Sequence, residues 1–324
     1  IKASMKDVAK HANVSVATVS HVINNSRYVS EETRNKVYKS IEALGYVPDP
    51  MARSFKTGKK NLIGIVVPDI ANTVWAIIIE EVEGILAKSG YKLLIVNTKE
   101  TESRERDNLR LLSSGMVDGI ILASTLSDYF EVAACVPKDF PMVFIDRELK
   151  GCTCDTVIPQ DYTAVYDGVK EMLMHGHKKI GFISGLMRLS TSVNRLNAYR
   201  DALSDFGMDI DESLICYGNS MSQSAVPLVR ELLERDCTGI VVSNNVMLDD
   251  VLFYLDSQDI CPGEELELLG QAVEGRRNYL AKRSVSLILQ PSKDIGRTAA
   301  KQILERINDP SLPIRNTVLH STLI

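Results

Sequence analysis

Residues 5–45, MKDVAKHANVSVATVSHVINNSRYVSEETRNKVYKSIEALG, decide how the rest of the chain is read. They spell three short helices. Ser4 precedes the first, with Asp7 three residues on, a capping-box pattern that starts a helix over 5–11. Ala12-Asn13-Val14 makes the turn, and Asn13 tolerates the left-handed backbone that a tight turn needs. Ser15 is a good N-cap for the second helix, 16–24. Within it Val19, Val22 and Ile23 share one face at three- and four-residue spacing and should pack inward. A third helix, 30–44, opens with Glu31 and Glu32 in its first turn, where the helix dipole favours them, and Gly45 ends it.

The second helix leaves Val16, Ala17, Thr18, Ser20 and His21 facing outward. A surface helix with no Lys or Glu, but with Thr, Ser and His, is suited to being read against another molecule. In a helix-turn-helix the second helix lies in the major groove, with its N-terminal residues at base edges. A purely structural three-helix cap is the plain alternative. Charge favours the first reading. Residues 1–60 hold eleven Lys/Arg and five Asp/Glu, net +6, in a chain of net −5, so the remainder carries −11. A basic head on an acidic body is what attraction to a phosphate backbone requires.

The segment 14–56, VSVATVSHVINNSRYVSEETRNKVYKSIEALGYVPDPMARSFK, resembles the DNA-binding head and hinge of the LacI/GalR family of bacterial transcription regulators. The resemblance continues through nearly the whole chain. It implies a dimeric regulator, most often a repressor, whose affinity for a roughly palindromic operator is set by a molecule bound to the body. Val16, Ala17 and His21 are then expected at bases in the major groove, with Arg27 reaching in from the turn. The two apolar side chains suit thymine methyls, and His21 can donate to a purine acceptor. Ser15, Thr18, Ser20, Asn24, Thr33 and Tyr46 are expected at phosphates, which fix register without carrying sequence information. Asp49 and Pro50 start a short hinge helix, 50–56, too short to be stable alone. By resemblance it enters the minor groove with Phe55 and Lys56. Phe55 stands where the family usually has leucine, so the preferred central base step is open, as is a Phe that packs on the body.

Length and composition bound the rest. The 324 residues, 45% hydrophobic and 24% charged, suffice for two or three cored domains. No apolar run approaches the roughly 20 residues of a membrane helix, and the polar, basic start has no signal-peptide core, so a cytoplasmic protein is expected. Cys152 and Cys154 form a lone CxC among six cysteines, which reads as reduced thiols rather than a zinc site. His175 and His177 mark a helix end. No GxxxxGK[ST], GxGxxG after a strand, HExxH or GxSxG occurs, so no enzyme, cofactor or metal is expected.

From residue 61 short apolar strands alternate with amphipathic helices. Strands are expected at 62–67, 93–96, 119–123, 142–145, 156–158, 180–183, 239–242, 266–269 and 285–289. Helices fall at 74–88, 103–114, 163–175, 193–206, 225–234, 248–257 and 294–307. Such alternation means doubly wound parallel sheets, and about nine or ten strands with a restart near residue 160 make two α/β subdomains. The organisation expected is a helix-turn-helix head (1–47), a hinge and linker (48–60) and a periplasmic-binding-protein-like body (61–324). By resemblance the first subdomain takes 61–158 and 291–319, and the second 159–290. The end at residue 324, without an obvious oligomerising helix, favours a dimer over a tetramer.

A ligand should sit between the lobes at the carboxyl ends of strands. Those ends offer Asp69, Asn72, Ser124, Arg147, Asn245 and Gln271. Alignment with the family adds Trp75 as an aromatic platform and Arg195 as the cleft arginine. Trp75 also lies on the apolar helix WAIIIEEVEGIL, where core or dimer packing is the other reading. Arg147 could equally pair with Asp146 or Glu148. The family's usual carboxylates are replaced by Gly270-Gln271-Ala272, Ser243-Asn244-Asn245 and Pro159-Gln160. With two arginines retained, an anionic effector such as a sugar phosphate or small carboxylate is expected. Control by a protein corepressor, or by nothing, stays open. So does a solute-binding receptor with the same body, although such receptors carry no basic head.

Overall fold

The computed structural model describes residues 3–47, 58–263, 266–273 and 285–324. Two compact units divide at Lys60 and Asn61. The expected hinge helix, with Phe55 and Lys56, lies outside the described residues.

The head is three helices, α1 (Met5–Ala12), α2 (Val16–Asn24) and α3 (Glu31–Ala43). Ser4 and Asp7 form the reciprocal capping box, and Asn13 takes the left-handed turn at φ +53°. Ser15 caps α2 by accepting from the Thr18 N–H at 3.0 Å. Ser30 precedes α3 but its side chain makes no cap bond to the helix backbone. Its hydroxyl donates to Thr33 at 2.9 Å instead. Val8, Val19, Val22 and Val37 are the buried centre, with Ile23, Leu44 and Tyr46 packed at its edge.

The body is built from strand-helix units. The first lobe contains β1 (Leu62–Val67), α4 (Thr73–Lys88), β2 (Lys92–Asn97), α5 (Glu102–Ser113), β3 (Gly119–Leu122), the short α6 (Tyr129–Ala133), β4 (Met142–Ile145) and β5 (Asp155–Gln160). The second contains α7 (Tyr162–Met174), β6 (Ile180–Ser184), α8 (Ser190–Asp205), β7 (Ile215–Tyr217), α9 (Val226–Glu234), β8 (Gly239–Val242), α10 (Asn245–Ser257), β9 (Glu267–Ala272) and β10 (Val285–Leu289). Then α11 (Ser292–Asn308) and β11 (Asn316–His320) return to the first lobe, and β12 (Thr322–Leu323) joins the second.

The first sheet runs β11-β5-β4-β3-β1-β2, all parallel, and the second β12-β10-β9-β8-β6-β7, with only β12 antiparallel. Alternation along each strand divides the core into two layers per sheet. Ile63, Ile65, Val143 and Val157 face α4 and α11, whereas Val66, Ile120, Leu122 and Phe144 face α5. In the second lobe Phe182, Val241 and Leu269 face α7 and α8, and Ile183, Ile240 and Leu268 face α9 and α10. Gly296 on α11 lets that helix lie against α4, since a Cβ there would stand 2.7 Å from the Ile78 carbonyl oxygen.

Among the described residues twelve strands stand where nine or ten were expected. The additions are β7, β11 and β12, which are short edge pieces. β11 alternates exposed and half-exposed residues, so its apolar signal is weak. The chain therefore crosses between lobes three times, after Gln160, after Leu289 and after His320.

Candidate functional site

In the head, α2 turns Val16 and Ala17 outward, and Thr18, Ser20 and His21 are half-exposed. His21 is not free to swing. Its Nδ1 lies 2.9 Å from the Ser26 hydroxyl, in the turn that also exposes Arg27. Asn24 donates to the Ser20 carbonyl at 2.8 Å, and Ser15 pairs its hydroxyl with Thr18 at 2.8 Å. Thr33 is half-exposed at the start of α3. Tyr46 is tied back by its N–H to the Ile41 carbonyl at 2.9 Å. Along its outward side α2 thus presents methyls, hydroxyls and an imidazole, held in place from behind by packing and by local bonds.

In the body, Asp69, Asn72, Trp75, Arg147, Arg195, Asn245 and Gln271 meet in one cleft between the lobes. Ser124 does not line it. The end of β3 turns its side chain under the floor, where the buried hydroxyl donates to Glu105 at 2.5 Å. Only its carbonyl takes part, accepting from Arg147 at 2.9 Å. The free space in the cleft is about 50 Å³. Small-molecule sites run to about 300–1,000 Å³. The lobes are drawn together.

Among the described residues, several polar contacts hold them so. Asn72, which caps α4 by accepting from the Val74 N–H at 3.0 Å, exchanges amide bonds with Asn245 at 2.8 and 3.3 Å. Arg188 from the second lobe donates to the Glu100 carbonyl at 3.1 Å, with its guanidinium 3.6 Å from the Glu100 carboxylate. Ser190 accepts from the Glu148 N–H at 2.8 Å. Gln290, on the second crossing, donates to Asp146 at 2.6 Å.

Neither arginine is free for an anion. Arg147 forms a two-pronged pair with Glu100, not with Glu148, and its Nε stands 3.6 Å from Asp146. Arg195 donates through Nε and Nη2 to Asp161, at 2.8 Å from Nε, and to the Ser243 carbonyl at 2.6 Å. Asp161 also accepts from Ser321, so one carboxylate joins the first and third crossings. The family's carboxylates are absent at the positions named, but the crossover is not without one. Asp161, one residue beyond Pro159-Gln160, supplies one. The expectation of an anionic effector rested on unpaired guanidiniums and loses that support.

Trp75 is 4% exposed. It belongs to the first-lobe core, yet it borders the cleft with the Arg147 guanidinium 6.0 Å from its ring centroid, at the limit of a cation-π contact. Burial raises the pKa of Asp146 despite the adjacent Arg147 and Arg195. Burial likewise raises Glu105 against its bonds from Ser124 and Thr125. Away from the cleft all six cysteines are free thiols. Burial pushes Cys154 up to about 11, and Cys152 is raised for the same reason. Neither has the depressed pKa of a reactive thiol. His175 and His177 both converge on Glu267, at 3.0 and 2.9 Å.

Glu100 and Gln290, which line the cleft, and Asp161 and Arg188, which bond Arg195 and Glu100, were not foreseen. Asp161 could have been, since it directly follows a strand end. Glu100 could not, because its placement depends on left-handed backbone at Lys99 and itself, φ +50° and +52°.

A head with an open reading helix and a body of two lobes closing on a polar cleft define a DNA-binding regulator with a ligand-responsive body. Residues 4–49 match the family described as bacterial regulatory proteins, lacI family, and residues 60–322 match that described as periplasmic binding proteins and sugar binding domain of LacI family. The chain belongs to the LacI family of transcriptional regulators. It is 30% identical over 325 residues to the HTH-type transcriptional repressor PurR of Vibrio atlanticus (strain LGP32), covering 99% of this chain and 97% of that one. It is also 30% identical over 324 residues to the ribose operon repressor of Haemophilus influenzae (strain ATCC 51907 / DSM 11121 / KW20 / Rd), covering 99% and 97%. Among solved structures it resembles the transcriptional regulator CelR-cellobiose complex, with TM-score 0.71 and 25% identity over 100% of this chain and 98% of that one. No helix among the described residues is long and apolar enough to cross a membrane.

Proposed function

We propose that this regulator is a cytoplasmic homodimeric repressor that binds a near-palindromic operator, and that a small polar molecule in the cleft sets its DNA affinity. Residues 1–47 would read DNA, 48–60 would act as the hinge with Phe55 and Lys56 in the minor groove, and 61–324 would bind effector and dimerise. The body would divide as 61–158 with 291–319, and 159–290. Val16, Ala17, His21 and Arg27 would specify bases, and Ser15, Thr18, Ser20, Asn24, Thr33 and Tyr46 would hold phosphates. The observation that carries this reading is the cleft itself. Seven of the side chains named from the sequence converge there from both lobes, and the contacts that close it are polar and breakable. A ligand that binds the open and closed forms unequally shifts their balance, and with it the spacing of the two hinge segments in a dimer. The reading implies binding, not turnover.

The relatives' names support both halves: one is a ribose operon repressor, and one solved regulator is a complex with cellobiose. A body controlled by a protein corepressor is the second reading, favoured by the small free space. The test is an anisotropy titration of the full chain on a selected operator duplex, with and without ribose, cellobiose and their phosphorylated forms. The proposal expects one small molecule to change DNA affinity at least about tenfold, or about 1.4 kcal/mol of coupling. Constant affinity across the panel would move control to a protein partner.

A further inference from the structure

The cleft contains more negative than positive groups. Asp69, Glu100, Asp146 and Asp161 stand in it or directly behind it, against Arg147, Arg188 and Arg195. Glu100 is the group that changes its character. Its side chain is 10% exposed, its carboxylate forks onto Arg147 from the first lobe, and the Arg188 guanidinium approaches from the second. An Arg fork is the geometry that would otherwise receive a ligand carboxylate or phosphate. Here it is filled from within. The backbone is held unusually to do this, since Lys99 and Glu100 both adopt left-handed φ. Two consecutive non-glycine residues in that region are strained and persist only when their surroundings over-determine them.

Gln271 is the opposite case. It lines the cleft and is 5% exposed, and both its amide oxygen and its amide nitrogen are buried without a hydrogen-bond partner. Arg147 Nε is the other cleft-lining atom in this condition among the described residues. An orphaned buried amide destabilises the unliganded fold unless something completes it. The missing partner must offer an acceptor beside a donor.

We propose that Glu100 is a built-in counter-ion that turns away anions, and that Gln271 reads a neutral ligand presenting an adjacent donor and acceptor. Vicinal hydroxyls and a primary amide both satisfy that description. The inference rests on the cleft being the effector site and goes beyond it by assigning the charge of the ligand and the residue that selects it.

Calorimetric titration of the full chain tests it, with ribose and cellobiose as vicinal-hydroxyl probes, nicotinamide as the amide probe, and ribose 5-phosphate and gluconate as anions. Wild type should bind at least one neutral probe and neither anion. Gln271→Leu should weaken the neutral probe about tenfold or more, since it removes a paired donor and acceptor. The same variant should raise the melting temperature of unliganded protein, because it deletes an orphaned amide. A residue with only a structural role would lower it. Glu100→Gln should gain about tenfold for an anion by freeing the Arg147 fork. Anion binding by wild type comparable to neutral binding overturns the assignment, and if that anion also alters operator affinity the effector reading stands without it. Gln271→Leu that binds neutral probes unchanged overturns it as well. Heats absent for every probe and variant, with operator binding intact, overturn it together with small-molecule control.

Discussion

The Asn72–Asn245 pair gives a prediction that can be worked through. Asn72 has two duties: it caps α4 through Val74 and bonds Asn245 across the cleft at 2.8 and 3.3 Å. The cap contributes about 1 kcal/mol. Two neutral hydrogen bonds in a half-exposed setting contribute about 1–2 kcal/mol net. Asn72→Ala should therefore destabilise the body by about 2–3 kcal/mol. Asn245→Ala should lose only the clasp, about 1–2 kcal/mol, because α10 is capped separately by Asn244, which accepts from Val246 and Met247. The double variant should be no worse than Asn72→Ala alone, a coupling of about 1–2 kcal/mol. Urea unfolding of the four proteins measures it, and Asn72→Ser, which keeps a cap oxygen but is too short to span the cleft, separates the two duties. The same energy shifts the open-to-closed ratio by about 5–30-fold, which small-angle scattering reads as a larger radius of gyration. Losses that add to within about 0.3 kcal/mol would mean the two amides do not interact, and the account of lobe closure would fail.

Three further outcomes follow from single sites. Burial would raise the pKa of Asp155, but bonds from Arg306 and Arg315 outweigh it and hold the carboxyl below its ordinary value. A lowered folded-state pKa adds stability above the unfolded value of about 3.9 and loses it as pH falls through the folded one. Asp155→Asn should thus lower the melting temperature clearly at pH 7, with a smaller difference from wild type near pH 2. His21→Ala should relax discrimination at one base pair by about 1–3 kcal/mol while leaving non-specific binding unchanged, as a competition assay with operator variants would record. Gly296→Ala should cost about 1–3 kcal/mol by driving a Cβ onto the Ile78 carbonyl, measured as a lower urea midpoint at constant slope.

The head was legible because its cues are local. Ser4 with Asp7, Ser15 before Val16, and Asn13 in its turn each act within four residues, and each stands as expected. The body's central strands were equally plain, as buried apolar runs such as LIGIVV and GIVV have no other good use. What was missed depends on distance along the chain. β11 is an edge strand whose partner, β5, lies about 160 residues away in sequence, and β12 is two residues long. The charges in the cleft were misjudged for the same reason. Arg147 and Arg195 can be named from the sequence, but that Glu100 and Asp161 quench them follows only from how loops 47 and 34 residues upstream are folded against them.

The most direct test of the regulator is selection of bound duplexes from a random pool by the full chain, followed by sequencing. The account predicts enrichment of an inverted repeat with two matching half-sites, lost or altered in its half-site positions when His21→Ala is selected in parallel. Recovery of no enriched motif, or the same motif from both proteins, would contradict reading of DNA by α2.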